Sequence, residues 1–143
     1  MIRPRPGAKY RNVKTQLDGL TFDSKAEAAY YAELKLREKA GEVRHIRRQV
    51  RYPLDVNGIK ICDYIADFVY EELQGFRRES GFRNGEAVWR QAIVDVKSPF
   101  SARLPVYRLK AKLMAALGTP ILECISSQPL TAIGRGHSKT TRR

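Results

Sequence analysis

The stretch Ala87-Val88-Trp89-Arg90-Gln91-Ala92-Ile93-Val94-Asp95-Val96-Lys97 decides the fold. A period of two puts Trp89, Gln91, Ile93, Asp95 and Lys97 on one face and Val88, Ala92, Val94 and Val96 on the other. Apolar side chains on both faces mark a strand that is covered twice, at the centre of a sheet. Pro99 stops this strand. Pro105 then pre-sets the first turn of a helix running to Leu117, with Gly118 at its C-terminal cap, and Ile121 to Ile125 reads as a further strand.

Upstream, Glu71 to Glu86 is interrupted by Gly75, Gly81 and Gly85 and reads as a long surface connection or an extended, mobile hairpin tip. Before it, Ile59 to Tyr70 forms a strand. Its odd positions place Asp67 in a row with Ile59, Ile61, Ile65 and Val69, which is expected to be the buried row. Asn57-Gly58 supplies a tight turn, because both central positions of the favoured hairpin need positive φ. The preceding strand begins at Arg48, with Val50, Tyr52 and Leu54 on one side and Gln49 and Arg51 on the other. Earlier still, Ser24 reads as the N-cap of a helix, with Glu27 at the reciprocal capping position, Phe22 packing on the first turns and Gly41 closing the end. Glu27, Tyr30, Tyr31 and Leu34 share one side of it. The order is helix, three strands, helix, strand, which predicts an α/β domain with a mixed central sheet flanked by helices.

The 143 residues suit one domain, with 43% hydrophobic and 29% charged residues and no apolar run long enough to cross a bilayer. Basic residues near the N-terminus have no apolar stretch behind them, so no secretory signal is expected and the chain reads as cytoplasmic. Cys62 and Cys124 stand far apart without neighbouring ligands, which predicts neither a disulfide framework nor a zinc knuckle. The net charge of +12 points to a polyanion as partner. Most of that charge lies outside the core: residues 1–14 carry five basic side chains, residues 129–143 carry four, and neither segment has an acid. The chain thus divides into a basic N-terminal arm (1–14), a domain (15–128) and a basic C-terminal tail (129–143).

Hydrolysis of a phosphodiester needs an activated water and neutralisation of the charge that builds on phosphate. Carboxylates holding Mg²⁺ meet both needs, and one or two suffice because the ion keeps several waters. Asp67 and Asp95 are candidates, each on an otherwise apolar strand. Lys97 shares a strand face with Asp95 and would orient or deprotonate the attacking water. A D-x-K tripeptide alone more often forms a surface ion pair than a catalytic one, and the position of this one, at the end of a central strand and before a turn and a helix, is what favours catalysis. Glu27 is equally consistent with a helix cap alone. Asp63 reads as an auxiliary or structural acid. Gln49, among Arg47, Arg48 and Arg51, is placed to contact phosphate or to support the metal shell; Arg103, Tyr107 and Lys110 extend that set. His45 and His137 are isolated and receive no role. Trp89, Tyr30 and Tyr31 are expected in the core rather than as base-stacking platforms.

The motifs Phe22-Asp23-Ser24-Lys25-Ala26-Glu27-Ala28, Tyr64-Ile65-Ala66-Asp67-Phe68 and Val94-Asp95-Val96-Lys97, followed by Tyr107-Arg108-Leu109-Lys110, resemble an uncharacterised phage and prophage family of the PD-(D/E)xK nuclease superfamily. The resemblance covers roughly residues 9 to 126. It implies a restriction-endonuclease-like core, with Glu27, Asp67, Asp95 and Lys97 as the catalytic set and Asp67, Asp95, Glu27 and Val96 as the metal set. It further implies Mg²⁺ (or Mn²⁺) with no small-molecule cofactor, DNA as substrate, a homodimer, and a phage- or prophage-encoded protein acting in the bacterial cytoplasm. Branched DNA is favoured by likeness to Holliday-junction resolvases. Ala66 stands where that superfamily often has Pro. Two other functions remain open on sequence grounds: a non-catalytic DNA-binding accessory, and the cleaving subunit of a transposition or restriction system.

Overall fold

A computed structural model describes residues 13–77 and 85–126. The basic arm up to residue 12, the tip at 78–84 and the basic tail from 127 lie outside the described residues, and with them the expectations made for those segments.

The architecture is α/β, with a mixed four-stranded sheet and two helices. Strands β3 (Val43–Val56), β4 (Ile59–Arg77), β5 (Glu86–Lys97) and β6 (Leu122–Ile125) lie side by side in that order. The first three are antiparallel and β6 runs parallel to β5. Helix α1 (Lys25–Lys39) precedes the sheet strands, and α2 (Pro105–Ala116) makes the crossover from β5 to β6 after a short 3-10 turn at Ser101–Arg103. Each helix covers one face. Phe22, Tyr30, Leu34, Phe68, Tyr70 and Val94 fill the core beneath α1. Leu54, Tyr64, Ala66, Ile93, Tyr107 and Met114 fill the core beneath α2.

Local chemistry sets these boundaries as expected. Ser24 caps α1, its Oγ accepting the Glu27 N–H at 3.1 Å. The helix ends with Gly41 at φ 76°, its N–H bonded to the Glu38 carbonyl while Glu42 N–H reaches the Arg37 carbonyl, a pattern that needs the left-handed conformation. Asn57 and Gly58 both take positive φ between β3 and β4. Helix α2 starts with Pro105 and ends at Gly118 in the same manner as α1.

Four expectations are corrected and one alternative is resolved. A hairpin, β1 (Thr15–Leu17) with β2 (Leu20–Phe22), precedes α1, turning on Asp18-Gly19 with both residues at positive φ. β3 begins at Val43 rather than Arg48, its early part carrying a bulge between Arg44 and Arg47 where His45 sits at φ 55°. The segment after Tyr70 is no irregular connection at its ends: β4 continues to Arg77 and β5 starts at Glu86, so the extended hairpin is the reading that holds. Lastly, the buried row of β4 is not the odd one. Ile59, Ile61 and Ile65 are exposed, while Tyr64 and Ala66 point into the α2-side core. Phe68 and Tyr70 then enter the α1-side core, with Val69 on the α2 side. Side-chain alternation thus slips at Asp67. Trp89 is also outside the core; the Arg44 guanidinium lies over its ring, 4.1 Å from the centroid.

Candidate active site

The slip at Asp67 has a cause in the strand opposite. Arg48 pairs with Phe68 and Val50 with Ala66, so Gln49 faces Asp67, and Gln49 stands at φ 50°, a conformation disfavoured for a side chain other than glycine. Its amide Nε2 donates to Asp67 Oδ1 at 3.3 Å. On the other flank the backbone ladder between β4 and β5 ends at Phe68 and Val94. Beyond that point Asp67 Oδ2 accepts the Val96 N–H at 2.8 Å. A side chain therefore replaces a strand carbonyl where the two strands part, and Asp67 is fixed from both sides.

Asp95 stands in the same gap, on the far side from α1. It is 1% exposed, the most deeply buried acid among the described residues. Tyr64 donates its hydroxyl to Asp95 Oδ2 at 2.8 Å, and Lys97 Nζ donates to Oδ1 at 2.7 Å. Lys97 in turn lies over the Tyr107 ring, 5.0 Å from the centroid, where the ring's negative face favours an ammonium. A buried carboxylate that has lost its water needs such partners, and Asp95 has one on each oxygen.

Electrostatics singles out Asp67. Burial, the adjoining Asp95 carboxyl as hydrogen-bond partner and as like charge, and the more distant Glu27 push its pKa up to about 8, against the lowering effect of the Val96 N–H. Glu27 is also raised, first by burial and then by Asp23, with Ser24 and Lys97 pulling the other way. Asp67, whose ionisation its neighbour opposes, makes with Asp95 a donor set suited to a hard divalent cation, which would supply the missing positive charge. Asp67 and Asp95 would hold it. Among the described residues no group of three or more His, Cys, Asp or Glu side chains is gathered as a ready cage. Glu27 is thus felt at the site through space, while its own bonds belong to the helix cap: Ser24 Oγ lies 3.4 Å from its Oε1.

The structure sorts the other sequence candidates. Gln49, Lys110 and Tyr107 converge on the acids; Lys110 Nζ donates to the Asp63 carbonyl at 2.8 Å and lines the same cleft as Asp95 and Lys97. Arg48 is occupied elsewhere, donating to the Thr21 carbonyl at 2.8 Å and lying 4.0 Å from the Phe22 ring centroid, so it ties the first hairpin to the sheet. Arg51 pairs with Asp63 at 3.3 Å. Asp63 also pairs with Lys60 at 3.1 Å, which makes it a structural acid. Arg103 lines a second cavity with Pro99, Arg108 and Glu123. Val96 turns its side chain into the α1-side core and gives its N–H to Asp67. Tyr64 is the residue that sequence reasoning left without a role. The available signal was its hydroxyl: a buried tyrosine needs a polar partner, and reading Tyr64 as inward would have asked which one.

The chain belongs to the family described as "Protein of unknown function (DUF1064)", whose model matches residues 7–80. The matched segment includes Glu27, Gln49, Tyr64 and Asp67, whereas Asp95 and Lys97 follow it. No curated protein and no solved structure matches the chain.

Proposed function

We propose that the protein is a metal-dependent DNA endonuclease of the PD-(D/E)xK type, built on a restriction-endonuclease-like core. The observation that carries this reading is the pairing of Asp67 with Asp95 at the parting of β4 and β5, with Lys97 bonded to one of them. The order along the chain supports it: after the first hairpin come α1, β3, β4, β5, α2 and β6, a helix, three strands, a helix and a strand. The net charge of +12 supports a polyanionic substrate.

A bound Mg²⁺ or Mn²⁺ would polarise the scissile phosphate and lower the pKa of an attacking water. The chain's own residues do the rest. Gln49 and the Val96 N–H hold the Asp67 carboxylate in place. Tyr64 fixes one oxygen of Asp95, and Lys97 fixes the other. Lys97 is positioned to orient the water whose oxygen bonds to phosphorus as a P–O ester bond breaks. Branched DNA and a homodimer with two sites belong to this proposal, as does a phage or prophage origin. No described helix is long and apolar enough to cross a bilayer.

Purified protein is incubated with labelled four-way junction, duplex and single-stranded DNA, with Mg²⁺ or with chelator. Metal-dependent cleavage is expected, reduced at least about a hundredfold by Asp95→Asn or Lys97→Ala. Absence of cleavage with both Mg²⁺ and Mn²⁺ refutes the enzyme; steeply salt-dependent binding without cleavage then favours a DNA-binding accessory.

A further inference from the structure

Next to the acids and Lys97 the molecule carries an open cleft of about 480 Å³. Its lining brings Lys97 and Lys110 together with the acids Asp63 and Asp95, and adds the aliphatic Ile65 from β4 and Leu104 and Val106 at the start of α2. These three side chains are 45%, 42% and 66% exposed. The backbone of intact duplex DNA presents phosphates, which call for cations rather than for an aliphatic wall. Solvent-facing apolar side chains grouped beside polar ones are instead the mark of a ligand surface. A single nucleotide can use both kinds of lining, its phosphate on a lysine and its flat apolar base against the aliphatic side chains. The volume also falls within the roughly 300–1,000 Å³ of small-ligand sites.

Two polar groups in the lining have capacity to spare. An ammonium offers three N–H donors, and Lys110 spends one on the Asp63 carbonyl at 2.8 Å. The Tyr107 hydroxyl is buried and has no hydrogen-bond partner among the described residues.

We infer that this cleft receives an unpaired nucleotide adjoining the scissile phosphate, the base lying against Ile65, Leu104 and Val106 and its phosphate on Lys110. The substrate class is then DNA whose strand is splayed or unpaired at the cut, as at a branch point, and intact duplex is disfavoured because its base would first have to be unstacked. The inference rests on the nuclease reading only for the identity of the neighbouring phosphate as the one that is cut; occupancy of the cleft is measurable without cleavage.

The test uses the full chain in chelator, so that no bond is broken. A single strand carrying one fluorescent purine analogue, and the same strand in blunt duplex, are titrated with wild-type protein and with the Leu104→Ser/Val106→Ser double variant. Both substituted side chains are exposed, so thermal melting is expected to be unchanged and serves as the folding control; Ile65→Ser on a different element is the second variant. Wild type is expected to bind the unpaired strand at least about tenfold more tightly than duplex, with a change in the analogue's emission, and each variant to lose about tenfold on the unpaired strand. Equal affinity for paired and unpaired DNA, binding that the variants leave untouched, or no binding overturns the inference. So does a wild-type dimer in sedimentation that the double variant dissociates, since a second copy would then be what covers the aliphatic wall. Failure of the nuclease reading shows separately, as binding of this kind with no Mg²⁺-dependent cleavage.

Discussion

If Asp67 is held protonated by burial and by Asp95, the stability of the metal-free protein must fall as pH rises. Its pKa stands at about 8 in the fold against 3.8 as a free side chain. The folded state therefore binds the proton more tightly than the unfolded chain. That contribution is complete below pH 3.8, declines as pH climbs, and is gone once pH has passed through about 8. Within this window one linked proton changes stability by about 1.4 kcal/mol per pH unit. Between pH 5 and pH 7.5 the loss is then about 3 kcal/mol, a large part of a typical domain's stability. For a domain of this size that lowers the melting temperature by about 12 °C. The assay is thermal unfolding in chelator at constant ionic strength across pH 5 to 8, comparing wild type with Asp67→Asn. Glu27 is raised as well and tilts both proteins in the same sense. The difference between the two slopes therefore isolates Asp67. Added Ca²⁺, a hard cation that need not support cleavage, is expected to restore wild type more at pH 8 than at pH 5, because the cation competes with the proton on Asp67. Parallel slopes for the two proteins, or Ca²⁺ stabilisation independent of pH, would refute the placement of a shared proton at Asp67.

Three further outcomes follow from named contacts. Tyr64→Phe removes the donor to Asp95 Oδ2 and leaves a buried acceptor unpaired; unfolding in urea should show a loss of about 1–3 kcal/mol, and cleavage should slow through kcat with little change in KM. Ser24→Ala deletes the α1 cap and is expected to cost about 1 kcal/mol in the same assay while leaving Glu27 in place, which separates the capping role from any effect of Glu27→Gln on cleavage. Leu34→Ala opens a cavity beneath α1, where Leu34 is 1% exposed, and should cost about 3 kcal/mol measured by chemical denaturation.

Much of the scaffold was readable because its signals are local. Ser24, Gly41, Asn57-Gly58, Pro105 and Gly118 act through the conformation of one or two residues, and each ended or began an element where expected. The Asp18-Gly19 hairpin had the same kind of signal, but its strands are three residues long, too short for an alternation to register. β4 failed for a different reason. Its parity was read as continuous from Ile59 to Val69, and the slip at Asp67 depends on Gln49 in the partner strand, which no reading of β4 alone contains. Asp67 was thus placed near the interior by an incorrect route: the isoleucines of its row are exposed, and its own partial burial comes from the Val96 N–H and Gln49. Arg48 illustrates the same limit. A basic residue beside a candidate site reads as a phosphate contact until the fold shows the Thr21 carbonyl and the Phe22 ring beneath it.

Four irregularities of this sheet occur at one level. Gln49 takes a left-handed conformation, alternation slips at Asp67, the β4–β5 ladder stops at Phe68, and Asp95 is buried with an acid for a neighbour. The left-handed Gln49 and the buried neighbouring acids each cost stability. A regular ladder through this region would have paired Asp67 directly with Asp95, put both carboxylates on one face and left the Val96 N–H without the Asp67 side chain. Parting the strands instead lets Asp67 turn inward, where a backbone N–H and an amide hold it beside Asp95. The two helices flank this gap without filling it, and the cleft at the start of α2 opens it to solvent on the Lys97 side. Local costs concentrated where titratable groups meet are the pattern of a site shaped for binding charge rather than for folding. The pH dependence of stability and the rescue by a divalent cation read that cost directly, which is why Asp67 is the residue on which the nuclease proposal is most exposed.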